Sequence, residues 1–237
     1  MLIISMIVLW RLNKSILNDP ALISGQDFSQ FWAAGKLNFR SENPYDPDKI
    51  NEIKNDLSGL DEQPLYVAIA YNPPWVLSLF LPFALIDYPT SRLIWLILNI
   101  VILIYCANKI WHMYGGSQKH RWVPILAAFV LGPVILVLRQ GQLTPIVLLG
   151  IVGFLDQIEN HNNEWLAGFF AAFVSVKPQV FYLFWIALLL WVIAYRRWKV
   201  LVGFILTISL TTVFAALFNP KVIQQFVDIS LNYAPIA

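Results

Sequence analysis

Apolar runs of membrane length alternate with short polar breaks along most of this chain, and one long polar stretch near its start interrupts the rhythm. Thr90 to Trp111 is long and apolar enough to cross roughly 30 Å of hydrocarbon, which takes about 20 helical residues. Trp122 to Leu138, Leu143 to Leu155, the shorter Trp165 to Val176, Gln179 to Tyr195 and Val200 to Phe218 predict further helices. Trp75 to Ile86 is too short to span alone and contains Pro82, so it is expected to be a re-entrant or broken helix. Irregular backbone at such depth must be buried in protein or line a cavity. Met1 to Trp10 lacks a basic n-region and a small-residue cleavage site, so it reads as the tail of a first transmembrane helix rather than a signal peptide. With Tyr233 to Ala237 read as a cut end, the chain is expected to be a fragment.

The polar stretch runs from residue 11 to residue 72. Nine of the fourteen acidic residues fall between positions 19 and 62, which concentrates charge in one segment of an otherwise apolar chain. Within it Phe28, Phe31, Trp32 and Gly35 recur at i, i+3, i+4 and i+7, a short apolar stripe that predicts a helix lying at the membrane interface. Asn43-Pro44-Tyr45-Asp46-Pro47 ends any helix there, and Tyr71-Asn72-Pro73-Pro74 closes the segment. Basic residues set the orientation. Lys109, Lys119 and Arg121 in one connection and Arg196, Arg197 and Lys199 in another mark the cytoplasmic side. Alternating spans then place the 11–72 loop, Arg139 to Gln142 and Lys177-Pro178 together on the outer side. The Asp156 to Glu164 connection must be cytoplasmic although it carries three acids and neither Lys nor Arg.

Composition narrows the class. At 58% hydrophobic and 13% charged, the chain has about half the charge of a soluble domain, and it is an integral membrane protein. A net charge of +2 without a basic patch excludes nucleic acid as a partner. Cys106 is the only cysteine and cannot form an intramolecular disulfide. His112, His120 and His161 lack metal-ligand spacing, and neither a P-loop nor a G-x-G-x-x-G fingerprint is present.

Three polar groups remain as candidate chemistry, each with a plain structural alternative. Asp27 follows Ser24 and Gly25 and suits the first turn of a helix, where the dipole favours a carboxylate. Beside the aromatic stripe, the same carboxylate is placed to take a proton from a hydroxyl. Arg139-Gln140-Gly141-Gln142 ends an apolar run, so Arg139 either snorkels to water or forks onto phosphate, with Gln140 and Gln142 facing sugar hydroxyls. Lys177, between Val176 and Pro178, is either a helix-end lysine or a second phosphate partner.

Asp27-Phe28-x-x-Phe31-Trp32-x-Ala34-Gly35, Asn43-Pro44-Tyr45-Asp46, Asn72-Pro73-Pro74, Gly141-Gln142 and Lys177-Pro178, in that order, resemble the motifs of glycosyltransferase family 87. That family includes polyprenyl-phosphate-mannose-dependent mannosyltransferases of the GT-C superfamily. The resemblance implies an all-α, multi-pass GT-C-like helix bundle, one domain over residues 1–237, whose extracytoplasmic first loop, 11–72, carries short interfacial helices. It implies an inverting enzyme of the cell membrane that takes a hexose, mannose first, from a polyprenyl-phosphate donor to a lipid or glycan acceptor at the outer face. The family's catalytic aspartate falls on Asp27. Trp32, Asn43, Tyr45, Tyr71, Arg139, Gln140, Gln142 and Lys177 are the expected substrate-binding residues; that the two cations face the departing phosphate is read from their charge and side, not from the family. Many relatives carry Asn two residues after the Gly-Gln pair, where this chain has Thr144. No cofactor is assigned, and a divalent metal near Asp27, Asp46 and Asp48 is left open. The competing classes are a transporter or flippase, which would show internal repeats and ionisable residues in mid-span, and a noncatalytic scaffold that docks through the acidic loop.

Overall fold

The computed structural model describes residues 26–59 and 70–232. The expectations for Met1 to Trp10, Ser24, Gly25, Asp61, Glu62 and Tyr233 to Ala237 lie outside those residues. Among the described residues every regular element is helical, as expected of an all-α membrane protein. The helices are α1 (Asp27–Phe39), α2 (Pro47–Ser58), α3 (Pro74–Ala84), α4 (Tyr88–Met113), α5 (Trp122–Val130), α6 (Gly132–Gln140), α7 (Thr144–Asp156), α8 (Glu164–Val174), α9 (Tyr182–Tyr195), α10 (Trp198–Phe218) and α11 (Val222–Asn232). A 3₁₀ turn at Gln118–His120 precedes α5, and a π-helical turn at Gln157–His161 continues α7. Among the described residues α4 and α10 are long and apolar enough to cross a membrane, and α5 with α6 is a bent apolar pair of the kind that makes a broken span or a re-entrant loop. Large apolar side chains such as Val101, Leu189, Leu190, Leu210 and Leu217 are exposed along α4, α9 and α10, where lipid rather than water is the fitting solvent.

Two departures from the sequence pattern concern proline. Trp122 to Leu138 is not one span: α5 and α6 meet at 68°, with Leu131 extended between them. Pro133 has no N–H to return to the preceding turn, and its ring clashes with that turn's carbonyls, so the helix restarts at Gly132. Pro82 does not break α3, which is continuous from Pro74 to Ala84. It stands in the last turns of an eleven-residue helix, where little helix remains to be disrupted.

The described residues group into two compact units, one made of residues 26–59, 70–97, 139–141 and 212–232, the other of 98–138 and 142–211. In the first, α1 is buried along nine of its thirteen residues, and its aromatic stripe packs on α3 and α4. Gly35 permits this approach, since a Cβ there would lie 2.9 Å from Phe80 Cβ and 3.1 Å from the Phe80 carbonyl oxygen. Asp46 caps α2 by accepting from the Asp48 and Lys49 amides, and Gly59, left-handed at φ 65°, ends it. The end of α10 is tied to α1 by the Asn38 amide, which donates to the Ala215 carbonyl at 3.1 Å. The Asn219 amide donates to the Glu42 carbonyl at 2.8 Å.

In the second unit α7 packs on α8 and α8 on α10 through glycines. A Cβ at Gly150 would lie 2.8 Å from the Phe170 carbonyl oxygen, and one at Gly168 would overlap the Val200 carbonyl. The acidic connection between α7 and α8 is neutralised from the basic ones. Lys109 reaches Asp156 at 2.9 Å, His161 lies 3.5 Å from the same carboxylate, and Arg197 reaches Glu164 at 2.9 Å. Two of the three acids in that connection, Asp156 and Glu164, thus sit at the same edge as two of the marker cations.

Enlarging Gly35 tests this packing. Gly35→Ala is expected to lower the unfolding midpoint in detergent by the equivalent of about 1–3 kcal/mol, and Gly35→Val by more, because the crowding falls on the Cβ and carbonyl of Phe80, which no side-chain rotation moves away. Unchanged thermal unfolding of both variants would contradict the close approach of α1 and α3.

Candidate functional site

The first unit holds Asp27, and its surroundings follow from how α1 begins. Gln26 is extended (φ −83°, ψ 141°) and accepts from Ser29 Oγ through its carbonyl at 2.7 Å, so Asp27 becomes the first helical residue. A carboxylate there lies over the unsatisfied amides of the first turn, which favour negative charge. Asp27 is half-buried. Lys54 acts on it from α2. That lysine is on the inward stripe with Ile50 and Ser58, only 9% exposed, at a position where an apolar residue would be the ordinary choice. Burial lowers its affinity for a proton, and the Asp27 carboxylate partly restores it.

Arg139, Gln140 and Gly141 belong to the same unit as Asp27. Gly141, at φ 68°, is the left-handed residue after α6, and Gln142 N donates back to the Val137 carbonyl at 3.0 Å, which closes the helix end. A Cβ on Gly141 would lie 2.6 Å from Phe28 Cβ, so glycine is demanded twice, by backbone and by space. The turn thereby rests directly on the residue after Asp27. The Arg139 and Gln140 side chains are exposed.

Two residues absent from the expected set hold this arrangement. Arg92, in the second turn of α4, is fully buried. Its Nε donates to Gln26 Oε1 at 3.0 Å, its Nη2 to the Arg139 carbonyl at 2.9 Å, and its guanidinium lies 5.7 Å from the centre of the Phe28 ring. Trp95, one turn on, donates from Nε1 to the Gly141 carbonyl at 2.9 Å and stacks on Phe28 at 5.7 Å. Tyr88 completes the contact, its hydroxyl 3.3 Å from Gln26 Oε1. The only signal available in the sequence was an arginine within a span-forming run, and such residues mark function when they turn inward.

The remaining candidates of this unit are divided. Trp32 is 3% exposed and donates to the Phe83 and Ile86 carbonyls at 2.9 and 3.3 Å, closing the end of α3. Asn43 accepts from the Tyr45 amide at 3.0 Å, an Asx turn that shapes the loop. Tyr45 is fully buried against Phe226 of α11, its phenol shifted upward by burial. These three side chains build the scaffold around the site, whereas Tyr71 is exposed. Gln142 and Lys177 lie in the second unit, where Thr144 joins them: Lys177 Nζ donates to Thr144 Oγ1 at 3.2 Å, and Thr144 Oγ1 donates to Gln142 Oε1 at 3.2 Å. The ammonium therefore stands at the N-terminus of α7, where amides and cation together favour an anion. Among the described residues no three His, Cys, Asp or Glu side chains form a metal-binding group.

Lys54 supplies a test of the charge balance. Its folded proton affinity is depressed, so the charged form is disfavoured in the fold. Its penalty is present at neutral pH and fades as pH rises through the folded value toward the unfolded one. Lys54→Met is expected to raise thermal stability at neutral pH by about 1 kcal/mol, roughly 2–4 °C for a chain of this size, with the gain shrinking in alkaline buffer. A gain independent of pH, or a loss, in thermal unfolding across the pH series would show that burial of this charge is not what the fold bears.

No curated protein and no solved structure matches the chain. A sequence model of glycosyltransferase family 87 matches residues 70–235, most of the chain. The matched segment runs from the approach to α3 through α11 and includes Asn72-Pro73-Pro74, Gly141-Gln142 and Lys177-Pro178, while Asp27 precedes it. With helical architecture, membrane spans and motif order in agreement, this chain belongs to glycosyltransferase family 87.

Proposed function

We propose that this membrane glycosyltransferase moves a hexose, mannose first, from a polyprenyl-phosphate donor to a lipid or glycan acceptor at the outer face of the cell membrane, with inversion and with Asp27 as general base. The observation that carries this reading is a half-buried carboxylate at the head of α1 with a buried ammonium, Lys54, in its field. A carboxylate at a helix head beside an apolar stripe is placed to take a proton from a hydroxyl. The acceptor's O–H proton passes to Asp27, its oxygen forms the new bond to the anomeric carbon, and the bond from that carbon to the phosphate oxygen breaks with its electron pair leaving on phosphate. Arg139 is the phosphate partner in this proposal, and in the second unit Lys177 with the α7 N-terminus is a cationic anion-favouring point in its own right. Cations aimed at a departing oxyanion act where charge develops, which is the most productive place for them. Gln140, Gln142 and Tyr71 offer donors and acceptors to sugar hydroxyls. The proposed catalytic loop is 11–72, within one GT-C-like domain.

Asp27→Asn is expected to reduce transfer from radiolabelled polyprenyl-phosphate mannose or glucose by about 10²–10⁴-fold, the range for loss of a general base, with membrane insertion intact. Equal product from both forms would sink the assignment. Orientation is tested separately. In a Cys106→Ala background, a cysteine at Gln140 is expected to react with a membrane-impermeant maleimide added outside intact cells, and one at Lys119 only after permeabilisation. The pairing of Lys109 with Asp156 and of Arg197 with Glu164 supports that sidedness, and the reverse labelling pattern would overturn it.

A further inference from the structure

A guanidinium buried at the head of a membrane span is expensive to keep, and its contacts show what it does. Water is withdrawn from Arg92 altogether, so its donors must be met inside the protein. Two of them diverge from one planar group. Nε points to the side chain of Gln26, the residue that caps α1 and precedes Asp27, and Nη2 points to the carbonyl of Arg139, among the last carbonyls of α6. A cation there offsets the negative end of α6. Trp95 supplies a parallel attachment one turn along α4, holding the Gly141 carbonyl and facing the Phe28 ring that lies under Gly141. One face of α4 thus grips the start of the helix that carries Asp27 and the end of the helix that carries Arg139.

We infer that Arg92 is the positioning residue of this glycosyltransferase site, with Trp95 as its second grip: its forked hydrogen bonds fix the Arg139–Gly141 turn against the first turn of α1. The functional part of this inference rests on the reading of Asp27 as base and Arg139 as a phosphate partner. Arg92 does not touch substrate in this scheme; it sets where the two groups that do are held. Geometry rather than charge is what it contributes. Lysine carries the same charge on a compact ammonium and cannot send two donors in these fixed directions from one plane.

The experiment separates position from chemistry. A nitroxide is attached at Gln140→Cys in a Cys106→Ala background, in lipid nanodiscs, and its mobility is read by continuous-wave electron paramagnetic resonance with Arg92 intact, Arg92→Lys, Arg92→Gln and Trp95→Phe. The label is expected to be restricted with Arg92 intact, clearly looser in both Arg92 variants, and intermediate in Trp95→Phe, which keeps the stacked ring and loses only the N–H. Transfer from radiolabelled polyprenyl-phosphate mannose or glucose is measured alongside, with the native residue restored at 140. There Arg92→Lys is expected to lower kcat about tenfold to a hundredfold with little change in donor KM, the scale that small misplacements of reacting groups produce. A label as restricted in Arg92→Lys as with Arg92 intact would overturn the inference, because charge alone would then suffice, and so would an unchanged label in Arg92→Gln. Should the Arg92 variants fail to fold, Trp95→Phe decides it: an unloosened turn counts against the clamp. Full activity of Asp27→Asn in the same assay would instead overturn the functional reading and leave the mobility result standing.

Discussion

Burying an arginine at the head of a membrane span obliges the surrounding chain to supply acceptors, and much of the first unit is the answer to that demand. Arg92 takes the Gln26 side chain and the Arg139 carbonyl, and to bring both within 3.0 Å the beginning of α1 and the end of α6 must meet over one aromatic ring. Phe28 supplies that ring, touching Arg92, Trp95, Phe80, Phe83 and Tyr88. Gly141 supplies the space. The cost of desolvating one charge is thus turned into specificity of arrangement, since an alternative packing would strand the guanidinium without partners.

The chemistry inherits this rigidity. Asp27 is placed by the extended cap before it and the ring immediately after it, both on α1, and it faces the charge of Lys54 from α2. Lys54 illustrates a trade: an inward lysine weakens α2's attachment to the core, yet it supplies positive potential where a carboxylate is wanted ionised. A site that needs a charged base in an apolar chain has to carry the counter-charge with it.

Much of the architecture was legible because lipid imposes simple patterns. Apolar runs and the helix-ending segment Asn43 to Pro47 translate directly into helices and their ends, and the motif order pointed to the family. What was not legible is where side chains aim. Arg92 reads in the sequence as one polar residue beside Thr90 and Ser91 at a span boundary, and nothing in spacing separates an arginine that snorkels from one that turns inward. Lys54 lies among Glu52, Asn55 and Asp56 in a charged, amphipathic helix and has the look of a surface residue. Trp32 and Tyr45 were read as substrate contacts from their motif context, whereas their indole and ring are engaged in closing α3 and in packing α11. The break at Leu131 was hidden by the opposite bias: seventeen apolar and small residues in sequence suggest continuity even when a Gly-Pro pair stands among them. The acids from Asp156 to Glu164 looked out of place on the cytoplasmic side because the partners of Asp156 and Glu164, Lys109 and Arg197, come from other connections.

The glycine contacts of the second unit carry a thermodynamic corollary. At Gly168 and Gly203 the backbones of α8 and α10 approach so closely that the Trp165 carbonyl oxygen would stand 2.6 Å from a methyl group on Gly203. Helices joined in hydrocarbon gain nothing from the release of ordered water, which is entropic near room temperature and fades on cooling. Their cohesion comes from dispersion between tightly fitted surfaces. Cohesion of that kind does not depend on the release of ordered water, so it does not share the loss on cooling that a water-soluble core of equal size suffers.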